Sequence, residues 1–210
     1  MVTLLTCSQG FVFLHVMKKT LVFIVFSMLL ICCKQKEKAD GDDDKFISVN
    51  SYLKAQVAEM DSSLATIMAI RKLDTVSTDT TYLKREDFKI YANEFLQLPD
   101  ISSSKLKDDY SATNMYDDLL NAYVFTYTTT DQKNEIKKED VIVDPTEAGE
   151  SNIRAINIDK WQTHGDSTVH KNMLWETGKR FLIITKVAKP SQPERISTVE
   201  VKWSNTPEGF

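Results

Sequence analysis

Phe46–Leu73, FISVNSYLKAQVAEMDSSLATIMAIRKL, is the stretch on which the fold class turns. Phe46, Val49, Leu53, Val57, Met60, Leu64 and Ile67 recur at alternating steps of three and four, which places them on one stripe of an α-helix. Lys54, Gln56, Glu59, Asp61 and Ser63 fall mainly outside that stripe. The spacing predicts a helix running to about Leu73, roughly 38 Å long at 1.5 Å per residue, enough to lie across a whole sheet. A core helix is the reading. A coiled-coil dimer would need a sustained heptad with flanking charge pairs, and the polar run Asp74–Thr81 ends the pattern.

Toward the C-terminus a second helix is expected over Lys84–Leu98. Phe88, Tyr91, Ala92, Phe95 and Leu96 stand at helical spacing, Glu86 and Asp87 fall in the first turn, and Pro99 ends it. Ile101–Leu120 alternates polar clusters with Leu106, Tyr110, Met115, Tyr116, Leu119 and Leu120, and reads as one or two short helices. From Tyr123 the period changes to two. Six strands are expected, at Tyr123–Thr128, Val141–Val143, Ile153–Asp159, Val169–Trp175, Arg180–Val187 and Ile196–Trp203. The links carry turn chemistry, such as Asp144-Pro145, His164-Gly165-Asp166 and Thr177-Gly178, and links this short join antiparallel neighbours. Helices first and strands afterwards is the order of an α+β domain. The expectation is one domain over residues 46–206, with two helices packed on a six-stranded antiparallel meander, cystatin-like or NTF2-like by element order.

Toward the N-terminus, KQKEKADGDDDK at Lys34–Lys45 is wholly polar apart from one alanine and one glycine, and reads with Cys33 as an acidic tether over residues 33–45. Asp40, Asp42, Asp43 and Asp44 invite a calcium reading, but the glycine and the distal glutamate of an EF-hand loop are missing from this run. Ahead of the tether, Met17–Cys33 reads MKKTLVFIVFSMLLICC. Lys18 and Lys19 follow a methionine, and the apolar run Leu21–Ile31, broken only by Ser27, is far short of the roughly 20 residues that span a bilayer. The segment is an export signal over residues 17–32. Residues 1–16 carry no Lys or Arg, so Met17 is the expected start and the first sixteen residues an upstream extension. At Leu30-Ile31-Cys32-Cys33 the chain resembles a bacterial lipoprotein precursor, with Cys32 standing where that family usually has Gly, Ala or Ser. The resemblance implies that Cys33 is lipidated and holds the protein in the membrane of the cell envelope. It also implies the outer rather than the inner membrane, because Lys34 is not the Asp of inner-membrane retention.

With residues 1–32 removed, which hold two lysines and no acids, 24 basic residues face 30 acidic ones, a net charge of −6. No Lys/Arg cluster stands out, so nucleic acid is not an expected partner. Cys7, Cys32 and Cys33 are the only cysteines, so after processing no free thiol remains for a disulfide, a nucleophile or a thiolate zinc site. Glycines are scarce and isolated, which argues against a phosphate cradle and any nucleotide cofactor. His164 and His170 lie too few and too alone for zinc, and no G-x-S-x-G is present, so neither a metal nor a cofactor is expected. Glu176 and Glu200 are candidate general acids on strands. Trp161, His170, Trp175, Phe181 and Trp203 are the pocket candidates: large aromatics mostly fill cores, but a sheet that curves away from its helix would let some of them line a site for a small apolar or glycan ligand. The expected function is a lipid-anchored, non-enzymatic binding or interaction domain for an envelope protein or such a ligand. The alternatives are an envelope hydrolase or isomerase using carboxylate or His groups in a sheet cavity, and a structural envelope lipoprotein with a flat exposed apolar patch.

Overall fold

The structure, a computed structural model, describes residues 46–74, 77–129, 131–145 and 152–204, all within one compact unit, Asp44–Phe210. The expectations for the upstream extension, the signal, Cys33, the tether and its aspartates lie outside the described residues. Helix α1 spans Val49–Met60. Strands β1 (Thr66–Leu73) and β2 (Ser77–Leu83) follow, then the short helices α2 (Arg85–Tyr91) and α3 (Asn93–Leu96). A 3-10 turn at Lys107–Asp109 leads into β3 (Tyr110–Asp117) and β4 (Ala122–Thr129). The chain then runs through β5 (Ile136–Asp144), β6 (Asn152–His164), β7 (Ser167–Glu176), β8 (Arg180–Ala188) and β9 (Arg195–Ser204). The nine strands form one sheet in the order β2-β1-β9-β8-β7-β6-β5-β4-β3, antiparallel throughout. Each strand pairs with its sequence neighbour, and β1 returns to β9. Among the described residues only a β2–β3 pairing is missing from the closed order of a lipocalin-like up-and-down barrel, and α2 and α3 lie in the connection between those two edges.

This overturns the α+β expectation of a long helix leading a six-stranded meander, and with it the cystatin-like or NTF2-like analogy. The domain is mostly sheet. All six expected strands are present, but three more come from segments read otherwise. The first helix stops at Met60, where Asp61 to Ser63 turn the chain, and Thr66–Leu73 is strand β1. Ile67 and Ala69 are buried on one face, so a run that continues the helical stripe by coincidence obeys the period of two. A short apolar segment fits both periods, and tertiary pairing with β2 and β9 decides between them. The polar run expected only to end the helical pattern leads into β2, an edge strand exposed along nearly its whole length. Edge strands tolerate polar residues on both faces, and threonine favours extended backbone. The same holds for β3, where short helices were expected: only Tyr110 is buried. The second helix lies where expected but breaks at Ala92 into α2 and α3.

One face of the sheet, here called inner, is covered by the helices. Phe88 of α2 and Phe95 of α3 meet Trp175, Phe181 and, for Phe88, Trp203 edge-on, at centroid distances of 5.2 to 6.4 Å. Leu53, Val57 and Met60 of α1 join the same cluster. Phe46 stacks on Tyr127 at 4.9 Å, and the Ile47 amide donates to the Tyr127 hydroxyl at 2.9 Å. From the first turn of α1 the Tyr52 hydroxyl lies 2.7 Å from the Thr177 hydroxyl beside the β7–β8 turn. That turn is closed by Gly178 at φ +69°, and the β6–β7 turn by Gly165 at φ +61°, the left-handed region glycine enters without a β-carbon penalty.

Candidate functional site

Side chains on a strand alternate between faces, so parity sorts the five candidates. Trp175 and Phe181 are direct cross-strand partners, stacked at 5.4 Å and fully buried on the inner face, and Trp203 lies beside them. These three fill the core. Trp161 and His170 face the opposite way and are also direct partners, across β6 and β7. Their rings stack at 4.1 Å with 20° between planes.

Asp159, two residues before Trp161 and therefore on its face, holds this pair. One carboxylate oxygen, Oδ1, accepts from Trp161 Nε1 at 2.9 Å and pairs with His170 Nε2 at 2.7 Å. Because a carboxylate only accepts, the imidazole carries its proton on Nε2. Three side chains on two strands thus fix the indole plane. His170 covers one ring face, and Trp161 remains 40% exposed.

Trp161 borders an open cleft of about 590 Å³, lined also by Gln132, Lys133, Asn134, Glu135, Lys137, Gln162, Thr163 and Thr168. The β4–β5 loop that forms its far wall is held from within. Asp131 accepts from the Lys133 amide at 2.8 Å, Lys137 Nζ donates to the carbonyls of Gln132 and Asn134, and the Trp161 amide donates to the Glu135 carbonyl at 2.8 Å. Partial burial of Glu135 works against its ionisation, but hydrogen bonds from Gln162 and Lys160 and the Lys160 charge outweigh it and hold the carboxyl below its ordinary value. On the other side of Asp159 a shallower groove of about 290 Å³ continues along the outer face, between Asn157, Asn172, Leu174, Leu182, Ile184 and the Lys138–Asp140 ion pair. Asn157, Asp159, Trp161 and Thr163 form one row on β6 about 20 Å long, three steps of two residues at ~3.3 Å each.

The remaining candidates are placed elsewhere. Glu176 and Glu200 both bind Arg180, the latter at 2.7 Å, which commits them to one another's cation. His164 lies at the end of β6 opposite Ser167, and among the described residues no three His, Cys, Asp or Glu side chains converge as a metal site. Among those residues no helix is long and apolar enough to cross a membrane.

Two features were missed in the sequence. Asp159 is the last residue of the expected strand Ile153–Asp159, but its i, i+2 spacing to Trp161 signals a shared face. Glu139 was not singled out, yet stepping back by two from Val143 and Val141 puts it inward. It is buried between its partners Tyr127 and Ile158, its Oε1 has no hydrogen-bond partner, and burial, aided by the charges of Asp100 and Asp140, pushes its pKa up to about 8. An apolar patch also occupies the β3–β4 hairpin, where Met115, Tyr116, Leu119, Leu120 and Tyr123 are all exposed.

No family model and no curated protein matches the chain. Among solved structures, an S-type phycobiliprotein lyase from Guillardia theta is similar at 7% identity, covering 83% of this chain and 99% of its own, with a TM-score of 0.25. A likeness that weak carries no functional argument.

Proposed function

We propose that the protein is a lipid-anchored, non-enzymatic component of the bacterial cell envelope, held by acylated Cys33, whose domain binds its ligand on the outer face of the sheet at Trp161 rather than inside it. The observation that carries the binding half is the division of the two faces. Trp175, Phe181 and Trp203 are packed solid with Phe88 and Phe95, whereas Trp161 is oriented by Asp159 and His170 and borders a cleft. A hydrolase or isomerase working in a sheet cavity loses support from the same division, since His170 faces away from the covered side.

The anchoring half rests on Lys18, Lys19, the Leu21–Ile31 run and Cys33. Stable residence takes two or more acyl chains, which a diacylglyceryl-modified cysteine supplies. Metabolic labelling with an alkyne fatty acid tests it. Cys33→Ala should abolish labelling and leave precursor or mislocalised protein, while Cys32→Ala should preserve labelling. Lipid retained on Cys33→Ala would contradict the assignment.

A structural role draws support from the β3–β4 hairpin. Its exposed Leu119 and Leu120 adjoin the edge of β3, unpaired among the described residues, which suits an extended, apolar polypeptide added as a further strand. Leu119→Asp should then release a crosslinked partner without affecting lipid labelling, and unchanged crosslinking would end that reading.

A further inference from the structure

We infer that the outer-face site takes a saccharide chain, an inference that rests on the outer face being the binding surface. The argument begins with the indole. One face of Trp161 is covered by His170, and the ring borders the cleft with 40% of the residue exposed. The face of an aromatic ring carries partial negative charge, which suits the polarised C–H groups on the flat side of a pyranose. A purely apolar ligand would match the indole but not its surroundings, because the groups nearest to it are polar.

Those groups are of a particular kind. Asn157 and Asn172 in the groove, and Gln132, Thr163 and Thr168 in the cleft, make no side-chain hydrogen bonds among the described residues. Amides and hydroxyls both donate and accept, as sugar hydroxyls do, so each can serve a ligand whose groups play either role. Most of the charges interleaved with them are already engaged: Lys138 with Asp140 at 2.8 Å, Lys160 with Glu135 at 3.2 Å, Asp159 with His170 and Trp161, and Lys137 with the carbonyls of Gln132 and Asn134, which leaves Lys133 of the cleft wall without a carboxylate partner among the described residues. The charge left over in the cleft wall is cationic, which offers little to a polycation. Asp159 acts here as a positioning residue, fixing the indole before a ligand arrives and so lowering the ordering cost of binding. The row from Asn157 to Thr163 is long enough to meet several sugar units, with Trp161 near its middle.

The test uses the full chain, expressed with its leader and purified in a detergent without a sugar headgroup. Linear hexasaccharides of glucose, xylose, mannose and N-acetylglucosamine are titrated by calorimetry, alongside a long-chain fatty acid and a basic peptide. At least one hexasaccharide should bind, and Trp161→Ala should weaken it tenfold or more with little change in the urea midpoint. Asn172→Ala should weaken it less, which keeps a readout should Trp161→Ala fold poorly. Binding that is indifferent to both substitutions overturns the inference. A fatty acid or peptide that binds in a Trp161-dependent way while no hexasaccharide does overturns the saccharide class but leaves the outer-face reading standing. Silence from every probe overturns both.

Discussion

The two faces of the β6–β7 pair use the same residue types for opposite ends. On the inner face Trp175 stacks on Phe181 and is sealed by Phe88 and Phe95, while its indole nitrogen has no acceptor. On the outer face Trp161 stacks on His170, is partly exposed, and its indole nitrogen is tied to Asp159. The buried ring keeps an unmet donor, which costs roughly 1–3 kcal/mol, because the packing around it gains more. The exposed ring has its donor satisfied and its surface left over. What a tryptophan does on this sheet is therefore decided by parity and not by residue type.

The sharpest way to break that comparison is to truncate both rings. Trp175→Ala should cost about 3–5 kcal/mol in urea unfolding, the range for a large aromatic removed from a packed core. Trp161→Ala should cost no more than about 1 kcal/mol, as expected for a half-exposed side chain. Equal losses would erase the distinction between the faces.

Glu139 is the inner face's second anomaly, and its effect depends on pH. Its pKa rises from the ordinary 4.5 to about 8 in the folded protein, first because burial penalises the charged form and then because of Asp100 and Asp140. The unfolded chain releases this proton above about 4.5 while the folded chain retains it, so stability is full below 4.5 and falls as pH rises toward 8. Glu139→Gln should match the wild type in acid. It should exceed the wild type by a margin that widens to a few kcal/mol near pH 8 and then stops growing. Parallel stability curves for the two proteins across that window would show that the carboxyl is not held neutral.

A smaller effect than that of Trp175 or Glu139 belongs to the turn that brings the two rows of β7 and β8 into register. Gly178 stands at φ +69° with no atom within 4 Å of an added β-carbon, so only the backbone penalty applies. Gly178→Val should cost about 1–2 kcal/mol in the same unfolding assay. An unchanged midpoint would mean that the turn relaxes freely.

The six C-terminal strands were legible because they are rich in β-branched and aromatic residues between clear turn signals, and in β9 Val199, Val201 and Trp203 alternate with Thr198, Glu200 and Lys202. The edges β2 and β3 were not, because an edge strand buries little and so loses the alternation that marks a strand. Strand β1 was hidden by a coincidence, since Ile67 extends the stripe of α1, and only pairing with β9 reveals its role. For the site, parity alone separates Trp161 and His170 from Trp175, because Ile156 and Ile158 mark the inner face of β6 and Met173 marks that of β7. The stacking of Trp161 on His170 was not legible, since it needs the register that places β6 against β7.

Hydroxyl-radical footprinting of the unmodified, folded chain, read at each tryptophan by mass spectrometry, tests the division of faces most directly. Trp161 should be oxidised first, with Trp203 far behind and Trp175 protected until the protein unfolds, in keeping with exposures of 40%, 8% and 0%. Oxidation of Trp175 in the folded protein at a rate comparable to Trp161, or protection of all three alike, would contradict the account.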